Sequence, residues 1–181
     1  MNKSIVNRKQ YWDQIYSAQP PEKMGWYQEI PEISLSFMGA AGISTGASVI
    51  DIGGGESSLT EQLIHRGISD LSVLDVSDKA IQRSRERLGN QAPCVDWINA
   101  DVLEFQPNRY YDIWHDRACF HFLNSDEEIS RYVDIAKGAV SLGGHLVLGV
   151  FSHQGPAKCS GLEVKRYDLD SMKQTFSGFE L

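Results

Sequence analysis

Short apolar runs alternate with amphipathic segments from about residue 46 onward. The runs are uniformly apolar, as in strands buried on both faces of a parallel sheet. The segments between them have apolar residues at helical spacing, and they begin at N-caps such as Ser77 or at the capping box of residues 125–128. The predicted strands are residues 47–52, 71–75, 95–99, 111–115 and 145–151. Because strands and helices alternate, the chain is predicted to fold as a doubly wound α/β protein with a mostly parallel sheet.

Residues 1–45 have a different pattern, which predicts a helical cap on a core of residues 46–181. One helical stripe contains Trp12 and Tyr16, and a second helix is predicted after Pro31. Core packing accounts for such an aromatic stripe. Trp26 lies between the two predicted helices beside a glycine, so it is a candidate lid residue over a site.

Composition limits the function classes. The chain has 181 residues, enough for one domain with a substantial core. Lys and Arg number 17 against 24 Asp and Glu, a formal net charge of −7, which disfavours nucleic acid as a partner. The three widely spaced cysteines indicate neither a disulfide framework nor a metal site. With no apolar run long enough for a signal peptide or a membrane span, a cytoplasmic protein without membrane association is expected.

Polar residues and glycines follow the predicted strands at the edge where ligands bind in open α/β sheets. Asp51 and Gly53 to Gly55 end the first strand, and Asp75 ends the second. A carboxylate at the second position can accept both hydroxyls of a ribose. Asp101 and Val102, after the third strand, could face the edge of an adenine. Helix capping or turn formation is the alternative explanation of Asp75 and Asp101.

Two features separate this pattern from a dinucleotide site. The third glycine of the dinucleotide fingerprint would fall at Ser58, and Asp51 would repel a pyrophosphate but attract an ammonium or a sulfonium. A cationic nucleoside is therefore the favoured ligand. A nicotinamide-dependent oxidoreductase remains an alternative, and so does a non-catalytic module that only binds the cofactor.

The glycine turn, Asp75 and the segment of residues 99–102 resemble motifs of the class I S-adenosylmethionine-dependent methyltransferases, over residues 11–181. A Trp-His-Asp-Arg-Ala segment at residues 114–118 resembles a bacterial subfamily acting on small molecules or proteins. The resemblance implies a Rossmann-like sheet with strand order 3-2-1-4-5. It also implies methyl transfer to a nitrogen, oxygen or sulfur atom, with S-adenosylhomocysteine as the product and no metal.

The resemblance also implies roles for individual residues. Asp51 and the backbone of Gly53 to Gly55 would hold the methionine part, although the middle position, Gly54, varies within the family. Asp75 would bind the ribose, Val76 would pack on the adenine, and Asp101 with the Val102 amide would contact the adenine edge. Further cofactor contacts are expected from Ser57, Ser58, Trp26 and His115.

Catalytic residues are harder to assign. His121 is the candidate base because histidine ordinarily titrates near neutral pH, and Asp116 is a second candidate. Packing between Phe120 and Phe122 is the alternative explanation of His121. The loop of residues 152–166 is expected to form the second wall of the acceptor pocket.

The C-terminal pattern predicts a last helix capped by Asp168 and the start of a sixth strand at residues 179–181. On the resemblance, the antiparallel hairpin of strands 6 and 7 is missing. We therefore expect an exposed edge at the fifth strand, where a second copy of the chain could pair.

Overall fold

The computed structural model describes residues 7–117 and 119–180 and is organised around a five-stranded sheet. All neighbouring strands are parallel, in the order β3-β2-β1-β4-β5. The strands are β1 Ser48–Ile52, β2 Asp70–Asp75, β3 Val95–Asn99, β4 Tyr111–Arg117 and β5 Val140–Gly149. The predicted doubly wound α/β fold and strand order are confirmed.

Six helices accompany the sheet in the described part of the chain. They are α1 Arg8–Ala18, α2 Glu32–Ala40, α3 Leu59–His65, α4 Asp78–Leu88, α5 Asp126–Ala139 and α6 Leu169–Thr175. The predicted caps are present: Ser77 accepts from the Ala80 amide, and Ser125 and Glu128 form a reciprocal capping box. None of these described helices has the length and apolar character needed to span a membrane.

Apolar side chains cover both faces of the sheet. On one face Ile50 and Trp114 pack with residues of α5 such as Tyr132. On the other face Val49 and Ile113 pack with residues of α2 and α3. Alternate residues of each strand therefore enter different layers. This alternation decides which polar side chains can meet at the strand ends.

The N-terminal helices pack on the sheet domain. The buried Tyr16 of α1 and Met24 cluster with Ala80 of α4, and Trp12 and Trp26 pack against them. The ring of Trp12 lies edge-on to that of Trp26, with centroids 6.1 Å apart. The aromatic stripe therefore packs α1 over the end of the sheet where β2 meets α4.

The C-terminal half departs from the predicted boundaries. The strand β5 begins at Val140, directly after α5, and ends at Gly149, whereas a helix through Val140 and a strand of residues 145–151 were predicted. Tyr111 pairs with Val140, and the register with β4 shifts before His145. Within the described residues, β5 pairs only with β4, so the expected exposed edge is present.

The predicted sixth strand is absent from the described residues. Phe179 and Glu180 lie outside any strand, and Leu181 is outside the described residues. Phe179 instead packs beside Phe176 on the core that holds α5. A separate two-stranded antiparallel hairpin, β6 Lys158–Cys159 and β7 Leu162–Glu163, lies within the predicted acceptor loop.

Candidate cofactor site at the strand ends

The glycine turn after β1 leaves almost no room for side chains. Gly53 has a φ of 67°, and its amide donates to the Leu74 carbonyl at 2.7 Å. A Cβ on Gly54 would overlap the carboxylate of Asp51. In this chain the side chain of Asp51 therefore occupies the space that a larger residue at position 54 would need.

Asp51 is buried, and only one of its two carboxylate oxygens has a hydrogen-bond partner. Its Oδ1 lies 2.7 Å from Nδ1 of His115, and Nε2 of His115 lies 2.9 Å from the Ser34 hydroxyl. Its Oδ2 is enclosed and has no hydrogen-bond partner. A buried carboxylate oxygen without a partner is costly, so this atom is suited to a cationic ligand.

Asp75 is held at the end of β2 by two backbone amides. The Gly55 amide donates to Oδ2 at 3.0 Å and the Ser77 amide donates to Oδ1 at 2.8 Å. Burial raises the pKa of Asp75 to about 6, although both amide bonds act in the opposite direction. A Cβ on Gly55 would lie 2.7 Å from Oδ2, so this glycine allows the turn to approach the carboxylate.

Asp101 lies after β3 and is engaged on both oxygens. The Leu103 amide donates to Oδ1 at 3.0 Å, and the Arg8 guanidinium of α1 donates to Oδ2 at 3.0 Å. Val102 is buried in the adjacent short helical turn. Val76 is half-buried after Asp75, and its carbonyl accepts from the Asn99 side chain at 3.2 Å. These positions follow strand ends at the same edge of the sheet, as predicted.

A cavity of about 30 Å³ lies beside the glycine turn, and we call it the edge cavity. It is lined by residues of the cap, the glycine turn and the strand ends: Tyr16, Pro21, Met24, Trp26, Tyr27, Gln28, Asp51, Gly53, Gly54, Glu56, Ser57, Ser58, His115 and Arg117. The structure thus brings together Trp26, the turn, Ser57, Ser58 and His115. Ser58 donates its hydroxyl to the Gln28 carbonyl at 2.6 Å, which ties the cap to the turn.

Arg117 and Tyr16 belong to this site but were not predicted from the sequence. Arg117 lines the edge cavity and donates to the Trp26 carbonyl at 3.1 Å. Burial lowers its pKa, and the charge of Asp51 opposes that shift. Burial raises the pKa of Tyr16 well above its usual value, with a further contribution from the charge of Asp75. Strand alternation could have placed Arg117 on the same face as His115, but the cap contacts have no local signal.

Asp116 has a different environment from that expected. It points to the face opposite His115, where it accepts from the Cys119 amide at 2.8 Å and from the Tyr132 hydroxyl at 2.7 Å. The Phe120 amide also donates to it, at 3.0 Å. Burial raises its pKa to about 6. These contacts fix the turn after β4 and argue against the catalytic role expected for Asp116.

His121 is enclosed among aromatic rings. Its ring centroid lies 4.4 Å from that of Phe122 and 4.8 Å from that of Phe151, and neither ring nitrogen has a partner. Burial lowers its pKa to about 4. The expectation of a base titrating near neutral pH is therefore corrected, because burial disfavours the charged imidazole. The packing explanation fits this environment better.

The predicted acceptor loop contacts both His121 and the cap. The Lys165 amide donates to the His121 carbonyl at 2.8 Å, and Tyr11 of α1 donates its hydroxyl to the Ser160 carbonyl. Within residues 7–117 and 119–180, no group of three or more His, Cys, Asp or Glu side chains is arranged to hold a metal ion.

Comparisons with known proteins fit this geometry. A family model described as a methyltransferase domain matches residues 49–144. An eEF1A lysine and N-terminal methyltransferase of Mus musculus is 25% identical over 122 residues, which are 65% of this chain and 17% of that protein. Nodulation protein S of Sinorhizobium fredii is 26% identical over 102 residues, or 56% of this chain and 46% of that protein. The chain thus spans less than half the length of these curated relatives.

Among solved structures, the N-methyltransferase NodS of Bradyrhizobium japonicum in complex with S-adenosylhomocysteine resembles this fold with a TM-score of 0.72. The two chains are 19% identical, and the match covers 95% of this chain and 85% of that one. The strand order, the glycine turn and the family match all indicate the same family of enzymes. The chain belongs to the methyltransferase-domain family and has the fold of the class I S-adenosylmethionine-dependent methyltransferases.

Proposed function

We propose that this chain transfers a methyl group from S-adenosylmethionine to a nitrogen, oxygen or sulfur atom of a small-molecule or protein acceptor. The unpaired Oδ2 of Asp51 beside the glycine turn is the observation that carries the proposal. An enclosed anionic oxygen is matched by a ligand that carries an ammonium and a sulfonium. Asp75 and Asp101 add acceptors for a ribose and an adenine at the same edge.

The bound cofactor would supply a methyl group activated by the positive sulfur. The chain's own residues would bind and orient it and exclude water, which are the main requirements of such a transfer. Tyr16 and Trp26 line the edge cavity and provide aromatic faces for a cationic centre. Asp51, Asp75 and Asp101 would fix the two ends of the molecule.

The structure constrains the methyl acceptor less than it constrains the cofactor. NodS is named an N-methyltransferase and the eEF1A enzyme a lysine and N-terminal methyltransferase, so amines form the first arm of a substrate screen. A net charge of −7 disfavours nucleic acid as the acceptor. A cytoplasmic location is part of the proposal, and three cysteines without disulfides support it.

Calorimetry with S-adenosylhomocysteine and with NAD separates the proposal from the oxidoreductase alternative. We expect binding of S-adenosylhomocysteine only, and binding of NAD alone would overturn the proposal. Asp75→Ala should weaken binding roughly tenfold to a hundredfold, since a charged bidentate contact is lost. Asp96→Ala, at an exposed carboxylate of β3, is the matched control and should leave affinity unchanged.

Turnover is tested separately, by incubating cell extracts with S-adenosylmethionine labelled on its methyl group. Transfer of label to an acceptor supports an enzyme. Tight binding of S-adenosylhomocysteine with no labelled acceptor in extracts of the source organism would favour a module that only binds the cofactor.

A further inference from the structure

Three buried side chains from three different elements form one hydrogen-bonded series. Ser34 of α2 is 4% exposed, His115 of β4 is 2% exposed and Asp51 of β1 is 4% exposed. The hydroxyl of Ser34 lies 2.9 Å from Nε2 of His115, and Nδ1 of His115 lies 2.7 Å from Oδ1 of Asp51. The series begins in the N-terminal cap and ends at the glycine turn.

The sheet register places the second and third members together. Asp51 and His115 are direct partners across the parallel pair β1 and β4, so their side chains leave the same face of the sheet. α2 covers that face because Leu35 and Met38 are buried in its core. Ser34 precedes Met38 by four residues, so both lie on the same face of this helix, and the Ser34 hydroxyl reaches Nε2 of His115.

The hydrogen bonds define the orientation of each group. A carboxylate can only accept, so Nδ1 of His115 is the donor to Asp51, while the Ser34 hydroxyl can donate to Nε2 or accept from it. Oδ1 of Asp51 is thereby fixed. Oδ2 is left enclosed and unpaired, and the missing side chain of Gly54 leaves the space that this oxygen occupies.

We propose that Ser34 and His115 are positioning residues that hold Oδ2 of Asp51 toward the ammonium at the amino-acid end of the cofactor. This inference rests on the proposed function. It gives α2 a part in cofactor binding in addition to its packing. A nucleophilic role for Ser34, which its order with His115 and Asp51 would also suggest, is disfavoured because the hydroxyl is enclosed.

A pair of related ligands tests the proposal. S-adenosylhomocysteine carries the amino-acid end, whereas 5′-methylthioadenosine has the same nucleoside without it. We expect Ser34→Ala to weaken binding of S-adenosylhomocysteine roughly three- to tenfold, the loss expected for one hydrogen bond. Binding of 5′-methylthioadenosine should change less than about twofold, because the ribose and adenine contacts remain. Ser34→Thr, which keeps the hydroxyl, should restore the affinity.

Ser72→Ala is the matched control, since the Ser72 hydroxyl is also buried but has no hydrogen-bond partner. In histidine ¹⁵N NMR spectra, Ser34→Ala should shift the Nε2 resonance of His115, and Ser72→Ala should not. Equal weakening of both ligands by Ser34→Ala, or no weakening of either, would overturn the inference while the proposed function stands. A wild-type protein that binds neither ligand would overturn the proposed function itself.

Discussion

Arg8 on α1 donates to Oδ2 of Asp101 at 3.0 Å. This ion pair joins the first helix to Asp101, the residue that is expected to contact the adenine. Asp13 on the same helix accepts from the Ser77 hydroxyl at 2.7 Å, just after Asp75. The edge cavity beneath has only about 30 Å³ of free space. Sites for molecules of this size usually have about 300 Å³ or more, so we expect α1 to shift when a cofactor enters.

Arg8→Ala is therefore expected to loosen the cap. Arg8 pairs with both Asp101 and Glu128, and two half-exposed ion pairs contribute about 0.4–2 kcal/mol together, so the association rate of S-adenosylhomocysteine should rise roughly two- to thirtyfold. Amide exchange of α1 should also become faster. Stopped-flow fluorescence of Trp12 and Trp26 measures the first effect, and hydrogen exchange with mass spectrometry measures the second.

The control for this change is Arg109→Ala, because Arg109 pairs with Asp70 at the opposite end of β2. It should leave both measurements as they are in the wild type. An Arg8→Ala protein with unchanged association and unchanged exchange of α1 would show that the cap does not limit entry.

Gly54→Ala should weaken cofactor binding without unfolding the protein. A Cβ there overlaps the Asp51 carboxylate, which cannot rotate away freely since His115 holds its other oxygen. We expect affinity for S-adenosylhomocysteine to fall at least about tenfold, as for a lost charged contact. Gly46→Ala, where a Cβ meets nothing within 4 Å, is the control. Wild-type affinity in Gly54→Ala would mean that Asp51 does not contact the ligand.

The strands and caps were predictable because their signals are local. Uniform apolar runs fix the central strands, and Ser77, Ser125 and Asp168 cap helices through bonds within three residues. The start of β5 was not predictable from such signals. Val140 continues the apolar face of α5, and only its pairing with Tyr111 across the sheet places it in a strand.

The site was predictable only in part, because some of its contacts join residues that are far apart in the sequence. Asp51, the glycines and Asp75 each follow a strand, so their common edge follows from the parallel topology. Ser34 contacts His115 across 81 residues of chain, a separation that no local pattern encodes. The different environments of His115 and Asp116 follow from strand alternation, which assigns neighbouring residues to opposite faces.

The pKa of about 6 at Asp75 predicts a pH dependence of cofactor binding. The ionised carboxylate is the better acceptor for ribose hydroxyls, and at pH 5 only about a tenth of it is ionised in the free protein. Affinities for S-adenosylhomocysteine and for 5′-methylthioadenosine should both fall roughly tenfold between pH 7.5 and pH 5, because both carry the ribose. Calorimetric titrations at intervals of half a pH unit measure this change.

Asp75→Asn provides the control for the titrating group. It should bind more weakly than the wild type at pH 7.5, and its affinity should vary little with pH. If the variant retained the wild-type pH dependence, another group would be responsible, and the assignment of Asp75 to the ribose would lose this support.

His121→Phe should stabilise the protein. The imidazole of His121 is buried with both nitrogens unpaired, and an unsatisfied polar group costs about 1–3 kcal/mol. A phenyl ring would keep the packing against Phe122 and Phe151 without that cost. We expect the free energy of unfolding at pH 7, measured by urea denaturation, to rise by about 1 kcal/mol.

The pH dependence of the free energy of unfolding tests whether burial lowers the pKa of His121. Burial lowers the folded-state pKa of His121 from 6.5 to about 4, so the unfolded state takes up the proton first as pH falls. The wild type therefore loses stability below pH 6.5 through this group, whereas His121→Phe does not. The advantage of the variant should grow by roughly 2 kcal/mol between pH 7 and pH 5. A constant difference over this range would mean that His121 titrates equally in both states, which would return it to consideration as a base.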